Sequence, residues 1–272
     1  MKLNEIYKLA DEIAPKRLSD EYCQKYGAYD NSGVLVDTGA EIKGVLFSLD
    51  LSFSAIEKAM ATGANLIVTH HPAIYGKIDG VRVTDFSPLG EKLVKCIQNG
   101  ISVLAMHLNL DNAVGGTDES LQEGICRACG MESKGAGTRA TLMQPLENGG
   151  YGRSYAVKET TLSALVEGIK KEFSTNRVLA YGAWDKKICK IASFCGAGAD
   201  EGAIAFAVKE GADAVVSSDF KHHVLGLAIE KGLSVIALTH YASENYGFKK
   251  YYEKIRRGLD IPCGYHTDEN LL

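Results

Sequence analysis

The chain holds 7 histidines, and all but His266 fall in four short polar clusters. These are His70 with His71, His107 with Asp111, Asp219 with His222 and His223, and His240 with Glu244. Imidazole nitrogens joined by a few carboxylate oxygens suit zinc, iron, manganese or nickel; calcium prefers oxygen alone. One divalent ion takes roughly four to six donors, three or more of them from protein in a catalytic site. His70, His71, Asp111, His240 and Glu244 offer five. With a bridging carboxylate and waters, such a set can hold two ions. His240 and Glu244 are spaced i, i+4, on one face of a helical turn. No thiol belongs to the set, which argues against a closed structural zinc site. Two divalent ions would bring about four positive charges against the two carboxylates, favouring an anionic ligand such as phosphate. The expected chemistry is metal-assisted hydrolysis of a nucleotide-like or phosphate-bearing substrate. The same donors suit two other roles: a non-enzymatic protein that stores, delivers or senses a metal, and a scaffold whose metals serve assembly.

The elements must bring these clusters together. Neighbours on a strand point to opposite faces, so His70 and His71 share a site only if the backbone turns after the strand at 64–68. Pro72 ends regular pairing there. Apolar spacing predicts a helix over 3–13, ended by Ala14 and Pro15, and a turn at 29–33. Strands are expected at 34–36 and 44–49, with a helix from Ser52 or Ser54 to Ala61 and Gly63 beyond its end. A helix near 88–98, a strand at 101–106, a loop at 112–117 and a helix at 121–128 follow. A change of region falls at about 134–148. Beyond it the pattern gives a strand at 151–157, a helix at 160–173 and a strand at 177–181. Strands at 188–194, 214–217 and 233–238 then alternate with helices at 203–209 and up to Glu230.

Two passages are alike. Residues 59–68 correspond to 207–216, setting Gly63 against Gly211 and His71 against Asp219. Residues 100–105 likewise correspond to 232–237. The fold class is therefore α/β: two related halves, with sheets flanked by helices and the metal site expected in the cleft between them. The first half takes residues 1–130 with about 235–272, and the second about 131–234.

Composition narrows the function. Hydrophobic residues make up 46% of the 272 and charged residues 24%, ample for a core. A net charge of -4 gives no general attraction to nucleic acid or anionic membrane, and no clear nucleic-acid patch is visible. The basic run at Lys249, Lys250, Lys254, Arg256 and Arg257 reads as a solvated helix face. No signal peptide and no run long enough to span a membrane is present. The 7 scattered cysteines read as reduced thiols, consistent with a cytoplasmic protein, and Cys126 with Cys129 is a lone CxxC. Gly196-Ala197-Gly198 is a tight turn, since Glu201 stands where a dinucleotide fingerprint needs its third glycine.

Thr69-His70-His71-Pro72, His107-Leu108-Asn109-Leu110-Asp111, Ser218-Asp219 with His223, and His240-Tyr241-Ala242-Ser243-Glu244 resemble the signature motifs of the Nif-three-like dinuclear-metal proteins. These are also known as GTP cyclohydrolase I type 2 homologues. Ala14-Pro15, Asp30-Asn31-Ser32-Gly33 and Gly152-Arg153 extend the resemblance over most of the chain. The resemblance implies metal ligands at His70, His71, Asp111, His240 and Glu244, with His107 and His223 lining the same cavity, where His107 or His223, if unligated, is the expected general base or acid. It further implies two α/β halves, a homohexamer with inward-facing sites, and activity on a small anionic substrate such as a nucleotide. The modest segment between Cys129 and Ile188 marks the short form, without the long central insertion. Leu108 and Thr239 depart from the usual pattern, where Thr and Gly are common; the second bears on the shape of the turn before His240.

Overall fold

In the computed structural model the described residues are 1–76, 78, 80–131 and 139–272. They divide into two compact units: Met1–Ala113 with Phe248–Asp268, and Val114–Gly247 with Glu269–Leu272. The sequence places its boundaries near 130 and 235, and residues 134–138 of its region change lie outside the described ones.

The first unit opens with α1 (Leu3–Ile13), whose Leu3, Ile6 and Ala10 turn inward. α2 (Lys16–Tyr26) follows, ended by Gly27 at φ +69°. Then come β1 (Gly33–Val36), β2 (Val45–Ser48), α3 (Phe53–Thr62), β3 (Leu66–Thr69), α4 (Leu89–Gln98), β4 (Ser102–Ala105) and the short α5 (Leu108–Asn112). Ser52 caps α3, its Oγ accepting from the Ala55 amide at 3.1 Å. The second unit holds α6 (Thr117–Ala128), β5 (Thr141–Leu146), β6 (Gly149–Thr161), α7 (Leu162–Glu172), β7 (Leu179–Tyr181), β8 (Lys187–Ser193), α8 (Glu201–Lys209), β9 (Ala214–Ser217), α9 (His222–Glu230) and β10 (Ser234–Ala237). The division between units falls inside α10 (His240–Ile255), and β11 (Cys263–His266) closes the first unit.

Each unit has one mixed sheet. The first runs β1-β4-β3-β2-β11, with β1 antiparallel and the rest parallel. The second runs β5-β6-β8-β9-β10-β7, parallel from β8 to β10 and antiparallel outside. Strands β2, β3, β4 and β9 are buried along their whole length, as parallel strands between helices must be.

The two halves are related down to single hydrogen bonds. Gly63 and Gly211 both turn left-handed after their helices, at φ +72° and +68°. The next amides reach back alike: Ala64 to Ala59 O and Ala212 to Ala207 O, both at 2.9 Å. One repeat later Ile101 bonds Cys96 O at 2.9 Å, and Leu233 bonds Ala228 O at 3.0 Å. Asn65 and Asp213 also match: each side chain accepts from a backbone amide at the first strand of its repeat, from Lys43 just before β2 at 2.7 Å and from Cys189 within β8 at 2.8 Å. Each half thus repeats β-α-β-α-β, and the chain leaves parallel strand ends at corresponding places.

Candidate metal centre

β3 ends by turning. The amides of His70 and His71 both donate to Leu49 O, at 3.1 and 3.0 Å. Successive amides of a strand point to opposite sides, so one shared acceptor marks the turn the His pair requires. The two rings lie 5.0 Å apart, and His107 joins them at 5.4 and 5.8 Å. His70, His71 and His107 each offer a ring nitrogen, and the three nitrogens lie within 4.8 Å of one another. His107 stands at the end of β4, where its amide donates to Ser32 Oγ at 3.0 Å. Asp111 follows on α5, which Asn109 pins by donating from Nδ2 to Ala14 O at 2.7 Å. Its Oδ1 then lies 3.4 Å from His70 Nε2.

The acceptors behind the rings decide their chemistry. His70 Nδ1 donates to Met106 O at 2.8 Å, His71 Nδ1 to Asp50 Oδ1 at 2.7 Å and His107 Nδ1 to Asp30 Oδ1 at 2.8 Å. In the second unit His240 Nδ1 donates to Asp219 Oδ2 at 2.5 Å. A carbonyl or carboxylate facing Nδ1 holds the proton there and leaves the lone pair on Nε2, the arrangement of metal-ligating histidines. At His70 that lone pair faces a carboxylate oxygen, an apposition favourable only with a cation or proton shared between them. The residues present therefore fit a transition metal.

The Asp30 side chain is fully buried. Burial works to raise its carboxyl, but hydrogen bonds from His107 and the hydroxyls of Ser19 and Ser32 outweigh it and hold the group well below the usual carboxylate range.

The second unit presents His240 and Glu244 on the first turn of α10, with Nε2 and Oε2 3.0 Å apart. Thr239 caps this helix, its Oγ1 accepting from the Ala242 amide at 3.0 Å, so the departure from Gly supplies an N-cap. Burial works to lower the His240 pKa; Glu244 and Asp219 overcome it and push it up to about 9. Gly196 bounds the site at φ +58°: a Cβ there would lie 2.1 Å from Glu244 Oε1. His222 and His223 open α9 and are exposed. His223 turns to Glu201, with Nε2 2.8 Å from Oε1, and belongs to no cluster of three metal-type donors among the described residues. Sequence reasoning did not find Asp50 or the Met106 carbonyl. Asp50 lies just past the end of β2, so the strand-end argument could have reached it; a backbone carbonyl carries no sequence signal.

Two mixed-sheet α/β units carrying oriented imidazole and carboxylate donors define the class: an α/β protein with transition-metal-type donor clusters. The chain belongs to the Duf34/NIF3 (NGG1p interacting factor 3) family, whose family model matches residues 1–265. It is 30% identical over 263 residues to a Clostridium perfringens protein named GTP cyclohydrolase 1 type 2 homolog, covering 96% of this chain and 93% of that one. Reduced HcgD from Methanocaldococcus jannaschii superposes with a TM-score of 0.76 at 28% identity, covering 97% of both chains. The Bacillus cereus protein related to NIF3 has the same fold, with a TM-score of 0.76 at 22% identity over 98% and 97% of the two chains. Among the described residues no helix is long and apolar enough to cross a membrane.

Proposed function

We propose that His70, His71, Asp111, His240 and Glu244 hold two divalent transition-metal ions and that the protein is a metal-dependent hydrolase. Its substrate would be a small anion, nucleotide-like or phosphate-bearing. The observation that carries this reading is the tautomer control: the Nδ1 atoms of His70, His71 and His240 each face a carbonyl or carboxylate at 2.5 to 2.8 Å. When bound, the ions would supply Lewis-acid polarisation of a phosphoryl or carbonyl oxygen and a nucleophile at neutral pH. His107, oriented by Asp30, would accept a proton at Nε2. His223 would carry the second proton-transfer role, sharing its Nε2 proton with Glu201 at 2.8 Å. The reading extends to a cytoplasmic homohexamer; the 7 free thiols are in keeping with a reducing compartment, and the assembly rests on family resemblance.

Elemental analysis tests it first, on protein purified without chelator or histidine tag, beside Asp111→Ala. About two transition-metal ions per chain, falling sharply in the variant, support the centre and direct a screen of nucleotides and phosphoesters. No metal, or one ion indifferent to Asp111, overturns it. Tight metal with no hydrolysis of any of them turns the reading to metal storage, delivery or sensing.

A further inference from the structure

The second unit carries a cavity of about 580 Å³ that lies apart from the metal-type donors except at one wall. It sits at the carboxyl ends of β9 and β10, where open α/β sheets bind ligands. Asp219 and Phe220 follow β9, Thr239 follows β10, and Arg177 and Val178 lead into β7. Its size is that of a small-molecule site. Phe220, Leu225 and Val178 give it an apolar lining, and two side chains of opposite charge, Arg177 and Asp219, complete the wall.

Both charges are held. Arg177 donates from Nη1 to Asn270 O, which aims the guanidinium and takes one of its five N–H donors. Asp219 sits at φ +52°, a left-handed conformation uncommon outside glycine, and its Oδ2 accepts from His240 at 2.5 Å. Its Oδ1 retains acceptor capacity. An anion bound here would gain Arg177 and meet Asp219, and a cation would do the reverse. Only a molecule carrying both charges gains from both, while the lining rewards an apolar body.

We propose that this cavity binds a zwitterion with an apolar body, of the class of an α-amino acid with an apolar side chain. Its carboxylate would lie on Arg177, its ammonium on Asp219 and its side chain against Phe220, Leu225 and Val178. The site shares Asp219 with the metal-centre reading, through His240, but requires no metal.

Calorimetric titration with L-phenylalanine tests it, with phenylacetate and 2-phenylethylamine as single-charge controls. Binding with a dissociation constant below about 1 mM is expected. Each control should bind at least about 10-fold more weakly, the scale of one lost charge-assisted hydrogen bond. Arg177→Gln and Phe220→Ala should weaken the amino acid by about the same factor. Should Arg177→Gln fail to fold, L-phenylalaninamide, which lacks the carboxylate, probes the same contact from the ligand side and should also lose affinity. Asp111→Ala, a change in the other unit, should leave the titration within about two-fold, so loss of the metal reading leaves this one standing. No binding at about 10 mM, controls as tight as phenylalanine, or full affinity in Arg177→Gln or for the amide would overturn the proposal.

Discussion

A histidine binds a metal through the nitrogen that lacks the proton, so the acceptor on its other nitrogen decides what the ring can do. Asp50 plays that part for His71 at 2.7 Å while remaining 42% exposed itself. Asp50→Asn keeps the shape and removes the charge, and outer partners of this kind are worth about 10- to 100-fold in metal affinity. We expect a zinc affinity lower by that factor, read by competition with a chromophoric chelator. Stability of the metal-free protein should stay within about 0.5 kcal/mol, as at other part-exposed sites. Gly196 makes the opposite case. Its positive φ, and the 2.1 Å at which an added Cβ would meet Glu244, leave no room for a side chain. Gly196→Ala should therefore displace Glu244, lower stability by about 1–3 kcal/mol and cut the metal content of purified protein. The grouping of His70, His71 and His107 was legible in the sequence, because these residues stand at strand ends; His222 and His223 share that spacing and join no donor cluster among the described residues. Of the partners that orient the rings, Asp219 and Asp30 stood in the sequence motifs, whereas Asp50 and the Met106 carbonyl did not: a lone Asp and a backbone carbonyl have no spacing that marks them.

At the scale of elements, apolar periodicity located the parallel strands and the helices between them, since buried strands and amphipathic helices write their environment into their composition. It missed α2, β5 and β11 for separate reasons. α2 is mostly polar, with only Leu18 and Ser19 buried. β5 contains Pro145, tolerated because β5 is the edge of its sheet. β11 is four residues, Cys-Gly-Tyr-His, given strand form by parallel pairing with the distant β2. What secures that pairing is an aromatic cluster in the first unit. Phe47 lies 5.3 Å from Tyr252 and 6.0 Å from Phe248, and Tyr265 of β11 lies 5.1 Å from Tyr252. Phe248 is fully buried and its ring is 5.9 Å from that of His70. Phe248→Ala should cost about 3–5 kcal/mol in denaturant unfolding, by transfer and cavity terms together. The cysteines follow the same packing. Burial pushes the Cys96 thiol up to about 11 and the Cys129 thiol up to about 12, Cys126 and Cys195 are buried, and Cys189 is exposed. With an aromatic disulfide reagent at pH 8, Cys189 should react first, and those four only after denaturation.

At the scale of the whole molecule, the repeat is the fact with most consequence. Each half is built on three parallel strands whose ends carry polar clusters, and the matched hydrogen bonds at Asn65 and Asp213 mark one architecture used twice. The copies have diverged where chemistry is needed. His71 corresponds to Asp219; the first half supplies three clustered histidines, and the second keeps His240 with Glu244. The proposed centre takes three of its five ligands from the first unit and two from the second. That division can be read in unfolding. A metal that binds only the folded chain stabilises it by about 2.7 kcal/mol at 100 times its dissociation constant. Zinc or manganese at that excess should raise the midpoint of denaturant unfolding of the wild-type chain. Asp111→Ala in one unit and Glu244→Ala in the other should each remove the rise. A rise that survives either change assigns the metal to one half alone, and the five-residue centre is then wrong; loss in both variants leaves two diverged copies of one fold that bind their metal only as a pair.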